Sequence, residues 1–67
     1  MKKAELARLH EMCCKVWPML TEDEKEDYFC TEGTIEFVND IANILHIDFN
    51  TITDEELDEI LDSINEL

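Results

Sequence analysis

The chain has 67 residues and a formal net charge of −13 at pH 7, with 18 acidic residues against five basic ones. A chain this short forms one domain with a marginal core, because it buries only about 60% of its unfolded surface. Its apolar content of 45% is too high for a disordered acidic tail. No apolar run approaches the roughly 20 residues that a membrane span needs.

The first predicted helix covers residues 3–17. Apolar residues recur there at spacings of three and four, which is typical of an amphipathic helix; they are Leu6, Leu9, Cys13, Val16 and Leu20. We expect Pro18 to force Trp17 out of helical geometry and so to end this helix.

The second predicted helix covers residues 22–30 and begins with a capping box between Thr21 and Glu24. Its only apolar anchors are Tyr28, Phe29 and Cys30. With so little to bury, we expect it to be the least stable element.

The third predicted helix covers residues 34–46, after a break at residues 31–33, which contain the single glycine, Gly33. Thr34 is expected to cap it. Its apolar residues cover about half of its circumference, which predicts the hub of the bundle; they are Ile35, Phe37, Val38, Ile41, Ala42, Ile44 and Leu45. The alternation of apolar and polar residues over 45–49 leaves a short strand as an alternative.

The fourth predicted helix covers residues 54–66 and begins with a second capping box, between Thr53 and Glu56. The sequence therefore predicts an all-α fold, a small bundle of three to four short helices in one acidic domain covering residues 1–67. The predicted core comprises Leu6, Leu9, Cys13, Val16, Trp17, Phe37, Val38, Ile41, Leu45, Leu57, Ile60, Leu61 and Ile64.

Three cysteines are an odd number, and no paired ligand spacing typical of a zinc site is present. We therefore predict reduced thiols and neither metal nor cofactor. The spacing leaves open whether the candidate ligands converge in space; they are His10, Cys13, Cys14, Cys30 and His46. Because charged residues interrupt the stretch after the basic N-terminus, secretion is not expected, and the predicted location is the cytoplasm.

No catalytic signature is present, so an enzyme is not expected. The tripeptide Asp62-Ser63-Ile64 resembles the Asp-Ser-Leu motif of acyl carrier proteins, in which the serine opens a helix. Here Ser63 falls near the end of the last predicted helix, which argues against that function.

The charge is distributed unevenly along the chain. Residues 1–19 sum to +2, whereas residues 20–67 hold 16 acids and one base, Lys25, and sum to −15. A net charge of about 2–8 is enough to keep a small domain soluble. The excess therefore favours a function for the acidic surface, which attracts basic partners and repels nucleic acid and anionic membranes.

We predict a small binding protein that inhibits or modulates a nucleic-acid-binding protein by covering its basic surface, as a nucleic-acid mimic. The predicted partner-binding residues are Glu22, Asp23, Glu26, Asp27, Asp54, Glu55, Asp58, Glu59 and Asp62. The first helix, with its net positive charge, should face away from the partner or pair with acids of its own chain. In size and charge the chain resembles the small acidic inhibitors that phages make against host nucleases, CRISPR effectors or polymerases.

The alternative is a helical adaptor or oligomerisation module, antitoxin-like or structural, that binds through apolar helix faces. In that case the acids only keep the chain soluble, and a homodimer would bury apolar surface that a small core leaves exposed. Salt separates the two hypotheses, because it weakens an electrostatic complex far more than an apolar one.

Overall fold

The computed structural model describes residues 1–28 and 31–67. The described residues form the α-helices α1 (Lys3–Val16), α2 (Glu22–Asp27), α3 (Thr31–Ile44) and α4 (Asp54–Asn65). Two 3-10 helical turns, Trp17–Met19 and Phe49–Thr51, follow α1 and precede α4. No strand occurs in the described ranges, so the predicted all-α bundle is confirmed.

Three contacts fix the directions of the long helices. The Trp17 ring, just beyond α1, lies 5.1 Å from the Phe37 ring of α3. At the other end of the bundle, the Met1 amino group donates to the Thr51 carbonyl, just before α4. Farther along, His10 of α1 contacts Ser63 of α4. Helix α3 therefore runs antiparallel to α1, and α4 runs parallel to α1, with α2 in the first connection.

The core lies where α1, α3 and α4 meet. Its buried residues are Leu9, Cys13, Phe37, Val38, Ile41, Ala42, Ile47, Ile60 and Ile64. Helix α3 supplies more of these than any other helix, as the hub prediction requires. The remaining predicted core residues are half-buried against this cluster; they are Leu6, Val16, Trp17, Leu45, Leu57 and Leu61. Ala42 and Ile47 are core residues that were missing from the predicted core.

The prediction that Trp17 leaves helical geometry is wrong, although α1 does end at Val16. Trp17 has φ −51° and ψ −48°, in the right-handed helical region, and it opens the 3-10 turn. Pro18 lies in the first residues of that turn, where a missing N–H is tolerated. The chain therefore passes from α-helix into a 3-10 turn at Pro18 and does not become extended there. The Trp17 indole stays packed against Phe37.

The break predicted at residues 31–33 and the Thr34 cap are also wrong. Helix α3 begins at Thr31 and contains Gly33. A Cβ atom on Gly33 would lie 2.8 Å from the Tyr28 Cα atom and 2.9 Å from its carbonyl carbon. The glycine therefore permits close helix packing against the preceding chain, and Thr34 donates its hydroxyl to the Tyr28 carbonyl at 3.2 Å.

Helix α3 ends two residues earlier than predicted, in a Schellman-type turn. His46 adopts a left-handed conformation with φ 59°. The His46 amide donates to the Asn43 carbonyl at 3.2 Å, and the Ile47 amide donates to the Ala42 carbonyl at 2.8 Å. This turn stands where the alternative strand was considered, and it buries Ile47. Ile44, which was assigned to the apolar face, is 70% exposed.

Both predicted capping boxes are confirmed. Thr21 accepts from the Glu24 amide at 3.2 Å, and Thr53 accepts from the Glu56 amide at 3.2 Å. Helix α2 contains no buried residue. That it is the least stable element stays a prediction. Phe29 and Cys30, assigned to the second predicted helix, lie outside the described residues.

Candidate partner-binding surface

Helix α4 carries a continuous row of carboxylates, which we call the α4 acidic face. It comprises Asp54, Glu55, Asp58, Glu59 and Asp62 of α4, together with Glu66, which caps the C-terminal end of the helix. All six residues are exposed, and at 3.6 residues per turn they lie on the side of α4 away from buried Ile60 and Ile64. From Asp54 to Glu66 the face extends about 18 Å, at 1.5 Å per residue.

The second predicted group is the α2 acidic block, which comprises Glu22, Asp23, Glu26 and Asp27. All four residues are exposed. Glu22 and Glu26 share a cleft with Asn65, the last residue of α4. Helix α2 therefore lies near the C-terminal end of α4, and we call the α2 acidic block and the α4 acidic face together the acidic band. Asp54 and Glu55 lie at the far end of this band.

The cleft between α2 and the end of α4 has a volume of about 420 Å³. Its described lining residues are Trp17, Glu22, Lys25, Glu26, Tyr28, Thr34 and Asn65. We call it the Trp17 cleft. None of its aromatic residues was predicted as a site residue, and no sequence signal indicated them, because they belong to separate elements that only the tertiary structure brings together.

Three aromatic rings form one cluster beneath the Trp17 cleft. The Trp17 and Tyr28 ring centroids are 6.4 Å apart, and each ring packs at an angle against buried Phe37, at 5.1 and 5.4 Å. Such tilted and edge-to-face pairs are favourable arrangements of aromatic rings. Trp17 and Tyr28 are half-buried and line the cleft, so this cluster forms part of its wall.

The acidic band is not neutralised by basic side chains at contact distance. Among residues 1–28 and 31–67, the only ion pair within 4.0 Å joins the Met1 amino group to Glu56, at 3.7 Å. Lys2, Lys3, Arg8 and Lys15 are exposed. The predicted pairing of the first helix with acids of its own chain is therefore not observed in the described part of the chain.

Two acidic side chains of the helix starts have defined local roles. The pKa values of Glu24 and Glu56 are lowered, chiefly because the Thr21 and Thr53 backbone amides donate to their carboxylates at 3.0 and 2.8 Å. These carboxylates are occupied within the chain and lie outside the predicted partner-binding set.

Neither described cysteine is placed as a metal ligand. Burial raises the pKa of the Cys13 thiol to about 12, with repulsion from Cys14 as a smaller cause. No group of three or more His, Cys, Asp or Glu side chains that could hold a metal occurs within residues 1–28 and 31–67. Cys30 lies outside the described residues, so the convergence of the full His and Cys set is not tested.

A histidine and a serine meet between α1 and α4. The His10 Nε2 atom lies 2.8 Å from the Ser63 Oγ atom. A nucleophilic serine next to a histidine base would also need a group that orients the histidine and a site for the reacting atom. Neither residue lines the Trp17 cleft. We therefore interpret the pair as a link between two helices.

No helix in the described part of the chain is long and apolar enough to cross a membrane. Comparison of the chain with models of protein families, with curated proteins and with solved structures gives no match. What the acidic band and the Trp17 cleft do must therefore be inferred from their own geometry and charge.

Proposed function

We propose that this chain inhibits or modulates a nucleic-acid-binding protein by covering its basic surface, as a mimic of nucleic acid. The observation that carries the proposal is the spacing of charge on the α4 acidic face. Six carboxylates over about 18 Å give one negative charge per ~3 Å, at 1.5 Å rise per residue. One strand of B-DNA carries one charge per about 3.4 Å of helix axis.

The surroundings of the α4 acidic face support the same proposal. Its carboxylates are exposed and have no basic side chain within 4.0 Å in the described residues. They are therefore free to meet lysine and arginine side chains, which contact phosphates in nucleic-acid complexes. An isolated exposed ion pair contributes only about 0–1 kcal/mol, so affinity would come from many pairs acting together around an anchor.

The proposal places the chain in the cytoplasm, with a basic protein surface as its partner. In size and charge the chain resembles the inhibitors that phages make against host nucleases, CRISPR effectors or polymerases. Helix α1, whose lysine and arginine side chains are exposed, would face away from the partner.

The test combines a charge reversal with a competition experiment. Asp58→Lys, Glu59→Lys and Asp62→Lys together should abolish capture of the partner at low salt while circular dichroism remains helical. The captured partner should bind nucleic acid, and duplex DNA should displace it from the wild-type chain. Simultaneous binding of DNA and the chain to the partner would contradict mimicry.

A matched control separates local charge from total charge. Glu11, Glu32 and Glu36 are exposed residues of α1 and α3, off the α4 acidic face. Reversing these three changes the net charge equally, so this control should weaken capture far less. Equal losses in the two triple variants would mean that only the overall field matters.

The adaptor hypothesis retains one supporting observation. Met19, Ile44 and Leu67 are 76%, 70% and 61% exposed. Met19 follows the C-terminal end of α1, whereas Ile44 ends the antiparallel helix α3, so these two side chains lie at opposite ends of the bundle. If capture survives high salt and is lost with Ile44→Asn, the adaptor hypothesis replaces mimicry.

A further inference from the structure

The Trp17 cleft combines two kinds of surface that attract a cationic side chain. Glu22 and Glu26 lie one helical turn apart on α2, and both line the cleft. Trp17 and Tyr28 line it as well, and both residues are half-buried. A cation over an aromatic face is attracted to the ring, and nearby carboxylates add Coulombic attraction.

We propose that the Trp17 cleft receives one arginine side chain of the protein partner. This inference rests on the proposed function for the class of partner, and it assigns the anchor around which the acidic band acts. A planar guanidinium can stack on an indole and donate bidentately to a carboxylate, whereas a lysine ammonium cannot do both. Arginine is also among the residues that most often dominate binding energy at protein interfaces.

The cleft has room for a cationic side chain and a composition that suits one. Its volume of about 420 Å³ lies at the lower end of the roughly 300–1,000 Å³ that is usual for small-molecule sites. The Asn65 side-chain amide, on the α4 side, offers a further oxygen acceptor. The aromatic floor is held in place by Phe37, which is only 3% exposed.

Lys25 provides a test in which the direction of the change in affinity is predicted. It is a half-buried base that lines the same cleft, and no carboxylate lies within 4.0 Å of its ammonium group in the described residues. With Glu22 and Glu26 the cleft carries two negative charges and one positive charge. An incoming arginine is attracted by the glutamates and repelled by Lys25. Removing the glutamate charges should therefore lower the affinity for arginine, whereas removing the Lys25 charge should raise it.

The single tryptophan of the chain reports directly on the cleft. The experiment is a titration of the full chain with a blocked Gly-Arg-Gly peptide at low salt, followed by Trp17 fluorescence. The matched ligands are the citrulline peptide, which has the same shape without the charge, and the lysine peptide. We expect the arginine peptide to bind at least about threefold more tightly than either.

Two double variants locate the binding. Glu22→Gln with Glu26→Gln should weaken binding of the arginine peptide about three- to tenfold, as expected for two exposed charges. Glu5→Gln with Glu11→Gln removes the same charge from α1, outside the lining of the cleft, and should change it less than twofold. Lys25→Gln should strengthen binding. Circular dichroism establishes that each variant remains helical.

The outcomes separate this inference from the proposed function. Equal fluorescence changes with the arginine and citrulline peptides, or equal losses in the two double variants, would overturn the arginine site even if a basic partner still binds. Selective arginine binding would support the site even if the captured partner does not bind nucleic acid, in which case the proposed function alone would fail.

Discussion

The His10 Nε2 atom lies 2.8 Å from the Ser63 Oγ atom, and this hydrogen bond joins the first helix of the bundle to the last. A hydroxyl group both donates and accepts, so the bond is available to either tautomer of the imidazole. The histidine considered as a zinc ligand and the serine that resembles a carrier-protein site are thus each other's partners. Their contact is one of those that hold α1 in position along α4.

Removing this contact should destabilise the fold modestly, and the effects of the two single substitutions on the free energy of unfolding should not add. We expect His10→Ala and Ser63→Ala each to lower the free energy of unfolding by about 1 kcal/mol, with a coupling of similar size in a double-mutant cycle. Urea unfolding of the four proteins measures this. A coupling of zero would mean that the two side chains do not interact in solution.

Gly33→Ala should destabilise the protein, although the same change in an ordinary helix interior stabilises it by about 1 kcal/mol. The added Cβ atom would lie 2.8 Å from the Tyr28 Cα atom, and backbone cannot move aside as a flexible side chain can. We expect a loss of about 1–3 kcal/mol, as for other overpacking substitutions. Urea unfolding of Glu32→Ala, an exposed neighbour, provides the control and should change by less than about 0.5 kcal/mol. A stabilising Gly33→Ala substitution would show that residue 33 does not approach the Tyr28 backbone this closely.

The charge of Glu56 should stabilise the start of α4 in a pH-dependent way. The Thr53 amide donates to the Glu56 carboxylate at 2.8 Å and lowers its pKa. A pKa that is lower in the folded state gives a stabilisation that is present above the unfolded value, about 4.3, and is lost as the pH falls through the folded value. Glu56→Gln should therefore lower the urea midpoint at neutral pH, and the difference should vanish in acid.

Glu55→Gln is the matched control for that experiment. It removes the same charge from an adjacent, exposed residue of the α4 acidic face, but Glu55 takes no part in the capping box. Because removing an acid relieves repulsion in so acidic a chain, Glu55→Gln should leave the neutral-pH midpoint unchanged or raise it. Identical behaviour of the two variants would exclude a special role for the Glu56 carboxylate.

Cys14 should react with thiol reagents before Cys13. The Cys13 side chain is fully buried and its thiol pKa is raised to about 12, whereas Cys14 is half-buried. A thiol reacts as its thiolate, so Cys13 should stay unreactive in the native state near pH 8. In a Cys30→Ser background, native protein should titrate one thiol rapidly and the second only on unfolding. Cys14→Ala should abolish the rapid phase, and its persistence would contradict the burial of Cys13.

Local sequence determined the helix starts at Glu22 and Asp54. Each capping box is a pair of hydrogen bonds between residues three apart, so its formation needs no information from the rest of the chain. The amphipathic stripe of α4 and the exposure of its acidic face follow equally from the 3.6-residue period. These features predicted the all-α fold and the position of the carboxylates.

Tertiary packing decided that α3 includes Gly33 and where α3 ends. Glycine ordinarily signals a break, but Gly33 lies inside α3, where the Tyr28 backbone leaves no room for a Cβ atom. His46 takes a left-handed conformation that costs a residue other than glycine about 1–2 kcal/mol, and the turn there places Ile47 in the core. The Trp17 cleft likewise depends on residues distant in sequence, whose meeting is set by how the helices pack and not by any local spacing.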